Sequence, residues 1–210
     1  MKRIAIIGAG MLGLQIAHHI QNDQGYIIAG FFDDNNMNIR PNDYGPILGK
    51  VSDVKTFYKK GAFDQVIIGI GYMHLQYRWQ CFEQLKNDVP FLTFIHSSVV
   101  IDKSSNIGSG SFIMARSIID DHVSIGRNVF LQIGCSISHH SSIEDNCFLG
   151  PNVTIAGRVK VEQNCFLGVG TILIDTIDIA SGVQTGGGAV VTDSIHEPGL
   201  YVGVPAKKIR

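Results

Sequence analysis

The chain has few cysteines, almost no net charge and no long apolar run. Its four cysteines form no CxxC pair and no metal-ligand spacing with the eight histidines, so neither a disulfide framework nor a zinc site is predicted. With 17 basic and 18 acidic residues the net charge is −1, and no general field attracts nucleic acid or an acidic membrane. We therefore expect small molecules and further copies of the chain as partners.

No segment approaches the roughly 20 apolar residues that a membrane span needs. The N-terminal MKRIAIIGAGMLG starts with basic residues, but glycines interrupt it at once and no small-residue cleavage site follows. Since 45% of the 210 residues are hydrophobic, the chain can bury a core. These features predict a cytoplasmic protein without membrane insertion.

Residues 1–97 alternate between two kinds of apolar pattern. Strand-like runs lie at 3–8, 26–34, 65–71 and 91–95, and helical spacing lies at 12–22, 51–60 and 74–87. This alternation predicts a parallel sheet with crossover helices, an α/β domain.

From residue 99 onward the period is six. Every sixth residue is a large aliphatic one: Ile101, Ile107, Ile113, Ile119, Ile125, Leu131, Ile137, Ile143, Leu149, Ile155, Val161, Leu167, Leu173 and Ile179. Two residues before each stands a mostly smaller one, and Cys135, Cys147 and Cys165 belong to this second set. Because residues i and i+2 of a strand share a face, each hexapeptide sends one bulky and one compact side chain inward. Three such sides close an 18-residue coil, so residues 98–210 are predicted to form a parallel β-helix of about five coils in which these cysteines are inert core residues.

Five motifs in a fixed order carry a family resemblance. They are GAGMLG, FFDD at 31–34, IHSS at 95–98, SISHH at 136–140 and YVGVPAKKI at 201–209. Together they resemble the left-handed β-helix nucleotide-sugar N-acetyltransferases of the bacillosamine and 4-amino-4,6-dideoxy-sugar pathways, near the sialic acid O-acetyltransferases. The resemblance implies a Rossmann-like domain that holds the nucleotide, a left-handed β-helix, acetyl-CoA as cosubstrate without a metal, and a homotrimer with active sites between subunits.

His139 is the predicted catalytic residue. The resemblance implies that it is the general base for a sugar amine, a task for which the unperturbed pKa of imidazole, about 6.5, is suitable. The 18-residue spacing places Asp121 one coil before it and Gly157 one coil after. A glycine there permits close approach of the thioester, and its N–H could stabilise the oxyanion, an effect worth roughly 3 to 4 kcal/mol in known enzymes.

His140 departs from the family pattern. Relatives often carry an acidic residue immediately after the base, and here that position is histidine. Asp121 is therefore the first candidate to orient His139, with His140 as a neutral hydrogen-bond partner. The alternative is a plain surface ladder, since His122, His140 and Arg158 also share the 18-residue spacing.

The first domain carries a GxGxxG pattern at Gly8, Gly10 and Gly13, with Asp33 twenty residues after the last glycine. Alone it fits a dinucleotide fingerprint. The resemblance implies instead the nucleotide of a sugar substrate, with Gly8, Gly10, Asp33, Asp34 and Gly71 as contacts and with Tyr72, His74 and Arg78 nearby. The alternative is that the glycines serve strand–helix packing and the aspartates close a turn.

Acetyl-CoA needs a long groove along the later coils. Gly157, Gly168 and Gly186–Gly188, including Gly187, are predicted to leave room for pantetheine, and Lys207 and Lys208 to meet the phosphates. The alternatives are coil termination and solvated lysines. His96 is predicted to have a structural role at the domain junction, with an approach to the sugar as the alternative.

The leading hypothesis is N-acetyl transfer from acetyl-CoA to the amine of a UDP- or dTDP-linked amino-dideoxy sugar, in surface-glycan precursor biosynthesis. Alternatives are O-acetylation of a sugar or sialic acid, a non-catalytic nucleotide-binding trimer, and an NAD-dependent oxidoreductase.

Overall fold

The computed structural model describes residues 1–35 and 44–210. They divide into two compact units, Met1–Phe94 and Ile95–Arg210, a division that the sequence places between 97 and 98. Within the described ranges, every helix is too short or too polar to span a bilayer.

The first unit is an α/β domain built on a parallel sheet. Its described strands are β1 (Arg3–Ile7), β2 (Ile27–Phe32), β3 (Ile47–Gly49) and β4 (Gln65–Ile68), in the order β3-β2-β1-β4. Its helices are α1 (Met11–Gln24), α2 (Val54–Lys59) and α3 (Leu75–Leu85), with 3₁₀ turns at Val51–Asp53 and Tyr72–His74. The predicted α/β fold is confirmed.

The sheet places three chain segments at one edge. Because β1, β2 and β4 are parallel, the residues that follow them lie together at the carboxyl end. Ala5 and Ile7 of β1 pack in a cluster with Phe82 and Leu85 of α3, while Ile16 and Ile20 of α1 are fully buried. The apolar faces of the helices therefore fix the sheet whose edge carries the loops.

Two details of this unit differ from the prediction. The three-residue β3 was not predicted, because a run that short and ending in glycine shows no period. The strand predicted at 91–95 is an isolated bridge from Phe91 to Val66 followed by a two-residue strand, Phe94–Ile95, that starts a different sheet. The chain passes from one sheet to another within these five residues. The sequence does not show this change, because the residues form a single apolar run.

The second unit, described throughout, is a parallel β-helix of three sheets, and this predicted architecture is confirmed. One sheet contains Asn106–Ile107, Ser124–Ile125, Ser142–Ile143, Lys160–Val161 and Asp178–Ile179. The second contains Val100–Ile101, Ile118–Ile119, Ser136–Ile137, Thr154–Ile155, Ile172–Leu173 and Val190–Val191. The third contains Phe94–Ile95, Phe112–Ile113, Phe130–Leu131, Phe148–Leu149, Phe166–Leu167, Val183–Thr185, Gly199–Val202 and Lys207–Lys208, the last pair being antiparallel.

The six-residue period builds the core of this unit. Strands pair in parallel with a register of 18 residues, as Ile137 does with Ile155. From Ile113 to Ile179 all the large aliphatic positions are at most 1% exposed. The cysteines at the small inward positions are buried, and each thiol donates to a carbonyl 15 residues later, as Cys135 Sγ does to Gly150 O at 3.3 Å.

A second column of the repeat has left-handed backbone. Every sixth residue from Gly110 to Gly188 has φ between 54° and 78°. Glycine and asparagine dominate this column, as expected for residues that tolerate positive φ. His122 and His140 belong to it, with φ of 55° and 59°, and His139 does not. The adjacent residues His139 and His140 therefore occupy different backbone positions of one turn.

Candidate active site

His139 lies in a column of residues at the same turn of successive coils. The backbone ladder fixes this column: His140 N–H donates to Asp121 O at 3.0 Å, and Arg158 N–H donates to His139 O at 3.0 Å. Thr176 N–H continues the ladder to Gly157 O at 2.9 Å. The column thus runs through Asp121, His139 and Gly157, as the spacing predicts, and continues to Asp175, which the sequence reasoning missed.

The imidazole of His139 is held at two edges. Its Nδ1 atom lies 3.3 Å from Nδ1 of His140, and the two rings are nearly perpendicular. Its other edge faces Gly157, where an added Cβ would lie 2.6 Å from both Cε1 and Nε2 of His139. Since real Cβ atoms do not approach that closely, residue 157 must be glycine for the ring to keep this position.

The contact between the two imidazoles defines a chemical requirement. A neutral imidazole has one N–H and one lone pair, so one Nδ1 must donate and the other accept. If Nε2 of His139 is to take a proton, its Nδ1 must carry hydrogen and donate to His140. His140 must then carry its own hydrogen on Nε2, which assigns both tautomers.

Asp121 bonds to a different histidine from the one predicted. Its Oδ2 atom lies 3.0 Å from His122 Nδ1 and 3.9 Å from His140 Nδ1. The hydrogen bond with His122 holds the pKa of Asp121 below its ordinary value, and the neighbouring histidines lower it further. The direct partner of His139 is therefore His140, and Asp121 lies behind it.

The N–H of Gly157 already has an acceptor. It donates to Oδ1 of Asp175, one coil further on, at 3.0 Å. The sequence predicts instead that this N–H stabilises the oxyanion of the tetrahedral intermediate. For that role, the carboxylate of Asp175 must first release it.

In the first unit, a cavity of about 370 Å³ gathers the predicted nucleotide contacts. Its lining contains all five of them, Gly8, Gly10, Asp33, Asp34 and Gly71, together with His74. Tyr72 and Arg78, also predicted nearby, are not part of the lining, whereas Asn35 and Tyr77, which were not predicted, are. The cavity lies at the carboxyl edge of the sheet, where α/β folds bind ligands.

The three glycines of the GxGxxG pattern have different structural roles. An added Cβ would lie 2.0 Å from Gly8 O at Gly13 and 3.0 Å from Gly69 O at Gly8, so these two allow the backbone to pack. At Gly10 nothing lies within 4 Å of that position. Gly10 precedes α1 and lines the cavity, which leaves the helix N-terminus open to an anionic group.

The two aspartates hold the loops around this cavity. Asp33 accepts the N–H groups of Ala9 at 2.8 Å and Asn35 at 2.9 Å. Asp34 accepts Val51 N–H at 3.0 Å and Tyr77 Oη–H at 2.6 Å. Burial and the bond to Asp34 raise the pKa of Tyr77 above its usual range. The aspartates therefore shape the cavity by holding the loops and the helix that surround it.

The predicted cofactor residues lie in different surroundings within the β-helix unit. Lys207 and Lys208 line a pocket of about 370 Å³ at the end of the β-helix, where Lys208 Nζ lies 2.9 Å from Glu197 Oε2. Gly168 and Gly187 are packed instead: a Cβ there would lie 2.6 Å from Thr185 O and 3.0 Å from Val169 Cγ1, respectively. These two glycines therefore also serve coil packing.

His96 takes part in the first turn of the β-helix. Its Nδ1 accepts the backbone N–H of Ser98 at 3.1 Å and lies 2.9 Å from Ser98 Oγ. Ser98 Oγ in turn accepts the N–H of Arg116 one coil later at 3.0 Å. These contacts are those of a turn-forming residue.

Comparison with known families gives two matches along the chain. Residues 3–85 match the PglD N-terminal domain, and residues 122–157 match the bacterial transferase hexapeptide (six repeats). A comparison with curated proteins gives no match.

Several solved structures share the fold over the whole chain. A mutant of GDP-perosamine N-acetyltransferase from Caulobacter crescentus, in complex with CoA and GDP-perosamine, has a TM-score of 0.91 at 24% identity, covering 100% of this chain and 98% of that one. The acetyltransferase domain of PglB from Neisseria gonorrhoeae has a TM-score of 0.89 at 20% identity, covering 100% of both chains. WeeI from Acinetobacter baumannii has a TM-score of 0.76 at 20% identity and the same coverage.

The order of the two matches is the order of the two units. The resemblance predicted from the sequence motifs is confirmed. Along the chain, a match to the PglD N-terminal domain at residues 3–85 is followed by a match to the bacterial transferase hexapeptide at residues 122–157.

Proposed function

We propose that this enzyme transfers an acetyl group from acetyl-CoA to the amine of a nucleotide-linked amino-dideoxy sugar. Structures of similar fold support both substrates: one is of GDP-perosamine N-acetyltransferase with CoA and GDP-perosamine, and another is of the PglB acetyltransferase domain with acetyl-CoA. UDP or dTDP is the nucleotide that the family resemblance implies for this chain. The product would serve in surface-glycan precursor biosynthesis.

The observation that carries the proposal is the position of the His139 imidazole. It rests against a glycine that leaves Nε2 accessible and is hydrogen-bonded through Nδ1 to His140. A histidine held by one nitrogen, with the other open, is the arrangement that general base catalysis requires. His139 is half-buried, so a substrate can reach its side chain.

The reaction proceeds in two steps at this nitrogen. The sugar amine attacks the thioester carbon, forming the new C–N bond, and Nε2 of His139 takes the proton that the amine loses. The tetrahedral intermediate then collapses, the C–S bond breaks, and the imidazolium returns the proton to the CoA sulfur. His140 accepts the Nδ1–H of His139 throughout, which keeps the reactive nitrogen fixed.

Gly157 supplies the oxyanion donor in this scheme. The Cα of Gly157 lies beside the Nε2 edge of His139, so its backbone is close to where the thioester carbonyl must approach. The carboxylate of Asp175 accepts the N–H of Gly157, so the thioester carbonyl must displace the carboxylate when it binds there. The Gly157 N–H then stabilises the oxyanion only when a bound thioester has displaced the Asp175 carboxylate.

The nucleotide occupies the cavity of the first unit. Gly10 and the N-terminus of α1 receive the diphosphate, and the carboxylates of Asp33 and Asp34 receive ribose or base donors. Acetyl-CoA meets Lys207 and Lys208 through its phosphates.

The enzyme works as a homotrimer with active sites between subunits. The outward column of the second sheet supports this, because it exposes the neighbouring residues Val100 and Ile118 (63% and 50%) and, beyond Ser136 and Thr154, Ile172 (41%). Packing of this face around a three-fold axis would cover these apolar residues.

The test is a thiol-release assay with a panel of acceptors. Amino and hydroxy versions of UDP-, dTDP- and GDP-linked sugars are compared at equal concentration. We expect turnover with amines only, and a loss of at least about 100-fold in kcat for His139→Ala with the Kd for acetyl-CoA kept. Turnover of hydroxyl acceptors alone would identify an O-acetyltransferase, and nucleotide binding without any acetyl transfer would identify a non-catalytic protein.

A further inference from the structure

Three side chains beside the proposed base bring metal-ligand atoms together. They are Asp121, His122 and His140, with one ligand atom from each lying within 4.8 Å of the other two. Asp121 Oδ2 is 3.0 Å from His122 Nδ1 and 3.9 Å from His140 Nδ1. The two imidazole rings stack at 4.9 Å with their planes 16° apart, so both Nδ1 edges approach one carboxylate.

The sequence spacing does not resemble a metal motif, because the ligands come from two coils. His122 and His140 are 18 residues apart, and the parallel ladder makes them neighbours. The repeat, and not a local motif, forms the cluster.

The backbone of this cluster is already in place. His140 N–H donates to Asp121 O at 3.0 Å, and His122 N–H donates to Ser104 Oγ at 2.8 Å. Ligands of one tetrahedral ion lie roughly 3.4 Å apart when each metal bond is about 2.1 Å. The observed separations bracket that value, and the side chains of both histidines are more than half exposed. Because the two stacked rings are more than half exposed, they are free to tilt towards each other until both Nδ1 lone pairs point at one ion, with water completing the coordination.

The donor set selects the ion. Two imidazole nitrogens and one carboxylate oxygen suit Zn²⁺, Cu²⁺ or Ni²⁺, whereas Mg²⁺ and Ca²⁺ prefer oxygen ligands. We propose that Asp121, His122 and His140 bind one divalent transition-metal ion of the Zn²⁺ class. The ion takes the Nδ1 lone pair of His140, which is the acceptor for Nδ1–H of His139.

Binding therefore controls acetyl transfer, a consequence that rests on the proposed function. With its lone pair on the metal, His140 cannot accept from His139 at 3.3 Å, and the base loses the contact that fixes its tautomer. Zinc is then an inhibitor of the enzyme that acts beside the base, without entering the catalytic steps.

The site itself is tested with zinc alone, near neutral pH, by titration calorimetry on the full chain without substrates. We expect one Zn²⁺ per chain, and Co²⁺ bound at the same site with visible d–d absorption. His122→Asn should weaken Zn²⁺ binding at least 10-fold. Asparagine suits this backbone, since Asn128 and Asn146 occupy the same left-handed column, so the variant keeps the fold. His196→Ala, which removes an exposed histidine elsewhere, is the matched control and should bind zinc as the parent chain does.

A stoichiometry near zero would overturn the site, and so would equal affinity in His122→Asn and the parent chain. The inhibition is tested by the ratio of acetyl-transfer rates with and without Zn²⁺ in each variant. We expect a fall in the parent chain that EDTA reverses, and a ratio near one in His122→Asn. Inhibition that persists in the variant would place the effect elsewhere. If the parent chain transfers no acetyl group, the proposed function fails, while the calorimetry still decides the metal site.

Discussion

The Nδ1 atoms of His139 and His140 lie 3.3 Å apart, with the two rings almost perpendicular. His140 therefore takes the place that a carboxylate has beside many catalytic histidines: it accepts the Nδ1–H of His139 and fixes its tautomer. An imidazole in this place, unlike a carboxylate, orients the base without adding a negative charge beside it. Asp121 supplies that charge one contact further away, at 3.9 Å from His140.

The first prediction concerns His140. Its φ of 59° is tolerated by glycine and asparagine, so His140→Gly removes the acceptor and His140→Asn replaces it without backbone strain. We expect His140→Gly to lower kcat roughly 10- to 100-fold, the range for losing a group that orients a functional histidine, with KM for acetyl-CoA unchanged. His140→Asn should lose less, because its side-chain oxygen can accept the Nδ1–H. Steady-state kinetics checks both, and parental kcat in His140→Gly would make His140 part of a plain surface ladder with His122 and Arg158.

Gly157→Ala tests the other edge of the imidazole. The new Cβ would lie 2.6 Å from two ring atoms of His139, so the ring must move. We expect kcat to fall at least about 100-fold, since displacing a general base by about 1 Å is enough for that. Gly187→Ala is the comparison: its Cβ meets the flexible Val169 side chain at 3.0 Å, and its effect should fall on KM for acetyl-CoA. An unchanged kcat in Gly157→Ala would show that the ring position does not matter.

Asp175→Ala examines the occupied N–H of Gly157. Removing the carboxylate leaves the N–H free for the thioester, so kcat/KM for acetyl-CoA should hold or rise a few-fold. The free energy of unfolding should fall by about 1 kcal/mol, the typical value of one such hydrogen bond. Asp145 accepts the backbone N–H of Arg127 and also pairs with its guanidinium, so Asp145→Ala should cost more stability than Asp175→Ala, with no gain in turnover. A fall of more than 10-fold in kcat/KM for Asp175→Ala would mean that the carboxylate has a catalytic task of its own.

The β-helix was predictable because its period is short and repeats many times. The same 18-residue spacing places Asp121, His139 and Gly157 in one column. One further step of 18 residues reaches Asp175, so its position in the column was also predictable. Which histidine Asp121 bonds to was not predictable, because side-chain rotation decides between neighbours at similar distance. His122 is preferred over His139 by geometry that no spacing encodes.

In the first unit the predictable part was again the backbone pattern. GxGxxG and Asp33 located the cavity, since parallel strands end at a common edge. Tyr77 was missed because it enters the cavity from a helix that follows a different strand, β4. Its bond to Asp34 is a tertiary contact across 43 residues.

Tyr77→Phe tests this contact. The change removes the hydroxyl that donates to Asp34 Oδ2 at 2.6 Å and leaves the ring in place. Because Asp34 then keeps only Val51 N–H among these two donors, we expect KM for the nucleotide sugar to rise about 10-fold, or ~1.4 kcal/mol. KM for acetyl-CoA should be unchanged, and equal changes in both constants would contradict a role confined to the nucleotide cavity.

Cys135 tests the interpretation of the inward cysteines. Burial raises the pKa of its thiol to about 12, and its Sγ donates to Gly150 O at 3.3 Å. Ser141, at an equivalent position, donates to Ala156 O at 2.8 Å. Cys135→Ser should therefore change the free energy of unfolding by less than about 1 kcal/mol, whereas Cys135→Leu should cost about 1 to 3 kcal/mol through overpacking. In the folded chain Ellman's reagent should leave Cys135 unmodified, because thiolate is scarce and access is closed. Rapid modification of Cys135 before unfolding would show that the coil opens, and full reaction in denaturant is the control.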